Sequence, residues 1–164
     1  MKSKSLAVFV LVFAVAASSR AQTKISGTST CAKPEVQHSL EVGDLPEHTY
    51  NMSQTKCKWT KGWEVAGVAA GQEVATGFSE ARANGSRDHG RVVENMSNGD
   101  KIFVSYRGTT TIKAGAPVRA QGTWSYTGGT GKFKGIKGKG TFLSTPNADE
   151  SWTVEVEGEY SLPK

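Results

Sequence analysis

Apolar and polar residues alternate most clearly in the last third of the chain, Gly122 to Tyr160. Between Ser151 and Tyr160, Trp152, Val154, Val156 and Tyr160 fall on one face, while Ser151, Thr153, Glu155, Glu157 and Glu159 fall on the other. A period of two is that of a half-buried β-strand. Burying each large apolar side chain gains roughly 1.5–3 kcal/mol, and an unpaired buried carboxylate costs far more. The rings are therefore expected inside and the acids in water, and a slip of one residue would reverse both.

The same period recurs upstream. Gly122 to Tyr126 reads as a strand with Trp124 and Tyr126 on one side, and Lys101 to Thr111 as one whose Ile102, Val104 and Tyr106 share a face. Arg91 to Met96 is a short strand, and Gly140 to Leu143 another. His48 to Trp59 alternates, with His48, Tyr50 and Met52 on one side and Asn51, Ser53 and Thr55 on the other. Trp63 to Phe78 is small and apolar, with Gly67, Gly71 and Gly77 marking bends or bulges. Ala83 to Ser86 and Asn98 to Asp100 are hairpin turns, and Ala114 to Pro117, Thr127 to Gly131 and Pro146 to Asp149 are further turns. Glu35 to Val42 reads equally as a first strand or a short helical turn.

These segments amount to about seven to nine strands joined mainly by short turns, the spacing of a sandwich or an up-and-down barrel. Closure removes the edge strands that an open sheet would expose. The expectation is all-β: a single antiparallel up-and-down β-barrel of about eight strands.

The N-terminus alters that picture. Met1 to Ala21 has a basic start (Lys2, Lys4), an apolar run from Leu6 to Ala17, and small residues at Ser19 and Ala21, the pattern of a secretory signal peptide cleaved before Gln22. The run falls short of the roughly 20 residues that span a bilayer. The domain plan is thus a signal peptide over 1–21, a flexible, polar N-terminal segment over 22–34, and a barrel domain over 35–164. Export to a periplasmic or extracellular compartment follows. Cys31 and Cys57, the only cysteines, then have one possible pairing, and an oxidising compartment favours that disulfide over two free thiols.

Removing the signal also changes the charge. The chain carries 20 basic and 15 acidic side chains, but Lys2, Lys4 and Arg20 leave with the signal, so the remainder is nearly neutral. That is no footprint for nucleic-acid binding. Lys132, Lys134, Lys137 and Lys139 form a local basic patch, which lacks interleaved aromatics for base stacking and reads first as a solvated face.

At Tyr126-Thr-Gly-Gly-Thr-Gly-Lys-Phe-Lys-Gly-Ile-Lys-Gly-Lys-Gly-Thr-Phe142 the chain resembles the Gly-Thr-Gly-x-Phe-x-Gly-x-x-Gly signature of allene-oxide-cyclase-like and dirigent-like barrels. Gly122-Thr-Trp124, Asn98 to Tyr106 and Glu157-Gly-Glu-Tyr160 extend the resemblance over roughly Val92 to Tyr160. The resemblance implies an eight-stranded antiparallel barrel around a largely apolar cavity, trimeric or dimeric in its named relatives. Those relatives guide reactive intermediates to one stereochemical product, mostly by shape. The plant cyclases' ionic cavity residues and the Asp and Arg pattern of the dirigent pocket have no counterpart placed here, so no catalytic residue is carried over.

Tyr106, Trp124, Tyr126, Phe142, Trp152 and Tyr160 fall on the expected inward faces, where they either fill a core or line a ligand cavity. Glu94 shares a face with Val92 and Met96. If buried it would titrate high and serve as a general acid or base; its place beside the Asn95 to Asp100 turn favours a solvated strand end. His38, His48 and His89 are scattered without acidic or cysteine neighbours at ligand spacing, so no metal site is expected. No nucleophile motif occurs, and Gly128 to Gly131 lacks the Lys-Ser/Thr pair of a phosphate loop.

The leading expectation is an exported barrel that binds a small hydrophobic or aromatic ligand, without a cofactor, without stable membrane insertion and with homo-oligomerisation open. The first alternative is a cofactor-free isomerase or cyclase in which Glu94 or Tyr106 assists proton movement. A structural protein with a filled core and an outer-membrane barrel complete the set.

Overall fold

The computed structural model describes residues 22–163, so the signal-peptide expectation for Met1 to Ala21 lies outside the described residues. Ten strands follow one another: β1 (Thr23–Cys31), β2 (Val36–Glu41), β3 (Thr49–Lys61), β4 (Glu64–Val65), β5 (Val68–Arg82), β6 (Gly85–Met96), β7 (Lys101–Lys113), β8 (Ala116–Gly129), β9 (Lys137–Pro146) and β10 (Trp152–Ser161). A single 3-10 turn, Gly131–Phe133, precedes β9.

Every pairing is antiparallel. From β5 to β10 each strand pairs with the next, β10 pairs with β1, β1 with β3, and β3 with β5. That circuit closes an eight-stranded up-and-down barrel. β2 and β4 are additions to it, β2 flanking the first half of β3 and β4 forming a small hairpin with the start of β5.

One expectation is corrected. Residues 22–34 are not a flexible lead-in, because Thr23–Cys31 is a barrel strand paired along its length with β10 and over Thr28–Cys31 with β3. The segment Thr23-Lys-Ile-Ser-Gly-Thr-Ser-Thr-Cys31 is polar enough to read as a tail, yet its Ile25, Ser29 and Cys31 point inward and Ile25 and Ser29 are buried. Without this strand the barrel would have two open edges.

Packing divides the interior into two parts. One end is solid: Val65, Ile102, Phe133 and Ile136 are wholly buried there, with Trp63, Met96, Tyr126 and Tyr160 around them. The β4–β5 hairpin and the 3-10 turn form the plug. The hairpin turn, Ala66-Gly67, places both residues at positive φ (52° and 78°), the geometry of a tight two-residue hairpin. Its Ala66 N–H donates to the Tyr160 hydroxyl at 2.8 Å, and the Ala66 carbonyl accepts from Lys132 Nζ at 2.7 Å.

The middle is narrowed by rings lying over glycines. One lateral row crosses all eight strands in register: Ile25, Gly158, Gly140, Trp124, Tyr106, Gly90, Gly77 and Ser53. A Cβ on Gly90 would stand 2.7 Å from the Tyr106 ring, and one on Gly140 would stand 2.7 Å from Trp124 Nε1. Phe142 covers Gly122 and Gly108 in the same way.

On the outside, β3 turns Tyr50 and Met52 to solvent beside Leu40 and Phe78, all at least 40% exposed. Its inward face is the polar one, Ser53 and Thr55, continuing to Cys57 and Trp59. His48 does not share the exposed face: it is buried just before β3, its Nδ1 2.5 Å from Asp44 Oδ1 and its Nε2 3.1 Å from Glu80 Oε1.

Candidate functional site

Above the plug the barrel holds a chamber of about 340 Å³. It extends toward the end of the barrel formed by the β5–β6, β7–β8 and β9–β10 hairpins, since Ser79, Asp88, Thr110, Ala120, Ser144 and Trp152 all line it. Two larger depressions, about 1300 and 1340 Å³, are walled mainly by outward polar side chains such as Arg91, Arg107, Lys139 and Glu157. The chamber inside the barrel, open at one end, has the lining of a ligand site.

Its walls are aromatic because the period of two holds through β7 to β10. Tyr106, Trp124, Phe142 and Trp152 reach it from four successive strands. Tyr126 and Tyr160, on the same faces but nearer the other end, belong to the solid plug and do not line the chamber. The six expected inward aromatics therefore all face inside and split between two tasks.

Two further tryptophans complete the wall. Trp59 and Trp63 stack at 4.5 Å with planes 1° apart, and Trp63 meets Trp124 edge-on at 5.9 Å. All four tryptophans of the chain thus border one cavity. Trp59 shares the parity of Ser53 and Thr55 along β3, and that period was the available signal for it. Trp63 lies between strands, where no period reaches.

The acidic feature of the chamber is a pair. Glu94 on β6 is directly opposite Glu73 on β5, both are buried at 4% and 8% exposure, and both line the cavity. Glu94 is not at a solvated strand end: it is buried inside the barrel against Trp63, near a register shift between Ala70 and Glu73. Glu73 was invisible in the sequence because it sits in a small, apolar stretch whose parity is reset by that bulge.

Burial raises Glu94 to about 7, against the opposing effect of the Trp63 indole N–H, which donates to its Oε2 at 3.3 Å. Burial also raises Glu73 well above the carboxylate range, and the neighbouring Glu94 charge adds to that. Two carboxyls this close do not both ionise readily, so the pair holds a proton near neutral pH. Glu73 Oε1, Trp59 Nε1 and the Tyr126 hydroxyl are buried without a hydrogen-bond partner among the described residues.

Farther along the chamber, Asp88 accepts from Ser86 Oγ and Thr110 Oγ1, both at 2.7 Å. Burial, then the Asp88 charge, pushes the Tyr106 hydroxyl up to about 12, so it acts as a neutral hydrogen-bonding group. Cys31 and Cys57 are joined, opposite each other across β1 and β3, and the bond forms part of the chamber wall. Such a bond is consistent with an exported protein. Among the described residues no cluster of three or more His, Cys, Asp or Glu has the geometry to hold a metal ion. The lysine patch is divided: Lys132 anchors the plug, while Lys137 and Lys139 stand on the outer face of β9.

The closed eight-stranded antiparallel meander has the fold of dirigent-like barrels. Among solved structures the chain is similar to the pterocarpan synthase dirigent protein GePTS1, with a TM-score of 0.50 and 14% identity over 89% of this chain and 88% of that one. It also resembles the pterocarpan synthase dirigent protein PsPTS1 (TM-score 0.49, 15% identity, 88% and 97% covered) and the conserved protein of unknown function RPA1785 from Rhodopseudomonas palustris (0.49, 11%, 86% and 99%). No family model and no curated protein matches the chain. At such identities the likeness concerns the fold alone.

Proposed function

We propose that this protein binds a small, largely apolar and aromatic molecule inside its barrel. The observation that carries the reading is the chamber itself: about 340 Å³ walled by aromatic rings, kept open at one end while the other end of the same barrel is packed solid. A barrel with a structural role alone would gain roughly 0.8 kcal/mol for each methylene that filled such a space. Its outward faces carry Lys24, Arg91, Arg107, Lys139 and Glu157, which favours a water-facing exterior over a lipid-facing one.

Because all four tryptophans border the chamber, intrinsic fluorescence reports occupancy directly. A panel of non-fluorescent hydrophobic and aromatic compounds, screened by tryptophan quenching together with thermal shift, should yield ligands that do both. Ala120→Trp, which places an indole in the chamber, should abolish that response while leaving the protein folded. A panel that produces neither effect overturns the reading.

The Glu73–Glu94 pair favours a second reading, a cofactor-free isomerase or cyclase acting on a hydrophobic substrate. A carboxyl that titrates near neutrality beside a largely apolar space inside the barrel is suited to give or take a proton from a bound molecule. Catalysis requires that Glu94→Gln keep ligand affinity and lose turnover. Equal turnover in the variant removes the second reading and leaves binding intact.

A further inference from the structure

We infer that the chamber's ligand carries a positively charged nitrogen: a small aromatic or aliphatic amine whose ammonium group sits between Glu73 and Glu94. This deepens the binding reading and rests on it.

Charge is the first ground. Glu73, Asp88 and Glu94 all line the chamber, and no Lys, Arg or His among the described residues does. A chamber meant for a neutral apolar guest has no use for the two of these that are buried, Glu73 and Glu94, because burying a carboxyl is costly unless it is paired. The protein supplies hydroxyl donors to Asp88 and one indole donor to Glu94. It supplies none to Glu73 Oε1, which is buried and unpartnered.

The second ground is the surrounding wall. Trp59, Trp63 and Trp124 border the same chamber as the two acids, and Trp63 touches Glu94 through its indole N–H. Rings of this kind attract a desolvated cation, and indole is the strongest of the side chains that do so. An ammonium has three N–H donors and no acceptor. One donor meets Glu73 Oε1, a second meets a Glu94 oxygen, and the carbon skeleton fills the aromatic space beyond. In the unliganded chamber the proton held by the two carboxyls takes the place of that cation.

Matched pairs that differ only at the nitrogen separate the possibilities. Isothermal titration calorimetry at pH 8 would compare 2-phenylethylamine with 2-phenylethanol, tryptamine with tryptophol, and both with indole-3-acetate. Each amine should bind at least tenfold more tightly than its alcohol, and the indole-acetate anion should not bind. Glu73→Gln/Glu94→Gln should erase the amine advantage while alcohol binding persists. Alcohols that bind as tightly as amines overturn the amine assignment and leave the chamber a binding site. If no member of either pair binds, the assignment falls too, and the broader ligand panel decides the fate of the binding reading separately.

Discussion

Glu73 and Glu94 face each other across the β5–β6 ladder with both carboxyls inside the barrel. Burial raises both, Glu94 from 4.5 to about 7. A carboxyl raised on folding binds its proton more tightly in the folded state than in the unfolded one. Its stabilising contribution is complete below about pH 4.5 and is lost as pH rises through about 7. Thermal unfolding should therefore occur at lower temperature at pH 8 than at pH 5.5, by the equivalent of about 2 kcal/mol for Glu94, part of the contribution being already lost at pH 5.5. Glu94→Gln, which fixes a neutral group there, should flatten this slope and stabilise the protein at pH 8. A slope identical to that of the unaltered protein would show that Glu94 does not titrate in this range.

The narrow middle of the barrel makes a separate demand. Trp124 sits across from Gly140, and Gly158 follows on the next strand. A Cβ on Gly140 would also collide with the Glu157 carbonyl, to whose oxygen the Trp124 indole N–H donates at 3.1 Å. Backbone cannot yield as a flexible side chain can. Gly140→Ala should cost about 3 kcal/mol through overpacking, read as a lowered denaturant midpoint. Gly99→Ala is a useful comparison, because space around it is open and only its left-handed φ of 87° is strained.

Much of this was legible in sequence. Between the two bulges of the β7–β8 ladder, and through β9 and β10, a period of two holds, so the inward residues follow from parity, and the rings at Tyr106, Trp124, Phe142 and Trp152 are where that parity puts them. Parity also places Tyr126 and Tyr160 inside, but does not tell a chamber from a plug. That division depends on where the β4–β5 hairpin tucks in, a long-range contact made through the Tyr160 hydroxyl. β1 is illegible in sequence because its closing role depends on β3 and on β10, the latter at the opposite end of the chain. Glu73 was missed because one bulge shifts the face on which every residue before it falls.

The β1–β3 seam is the shortest of the barrel, running only from Thr28–Cys31 against Cys57–Lys61. The disulfide lies at its end, closing a segment with a sequence separation of 26. On the chain-entropy account, its loss costs about 3.5 kcal/mol. Cys31→Ser/Cys57→Ser should unfold correspondingly earlier in denaturant. Amide exchange in β1 should also accelerate more than in β7 and β8, because the seam opens locally before the rest of the barrel. Uniform acceleration across all strands would instead mean that the bond only lowers global stability.

Chamber and plug should separate under mutation. Trp152 lines the chamber and is half-buried, so Trp152→Ala removes wall that a ligand touches while exposing little of the solid core. It should weaken ligand binding at least tenfold and lower stability modestly. Tyr160→Phe acts in the opposite way. The hydroxyl that accepts the Ala66 N–H at 2.8 Å is lost, leaving that donor unpaired at a cost of roughly 1–2 kcal/mol, while the chamber lining is untouched. Stability should fall and ligand affinity should hold. Calorimetric titration and denaturant unfolding of both variants check the pair; if Tyr160→Phe weakens binding as much as Trp152→Ala does, the two halves of the interior are one site.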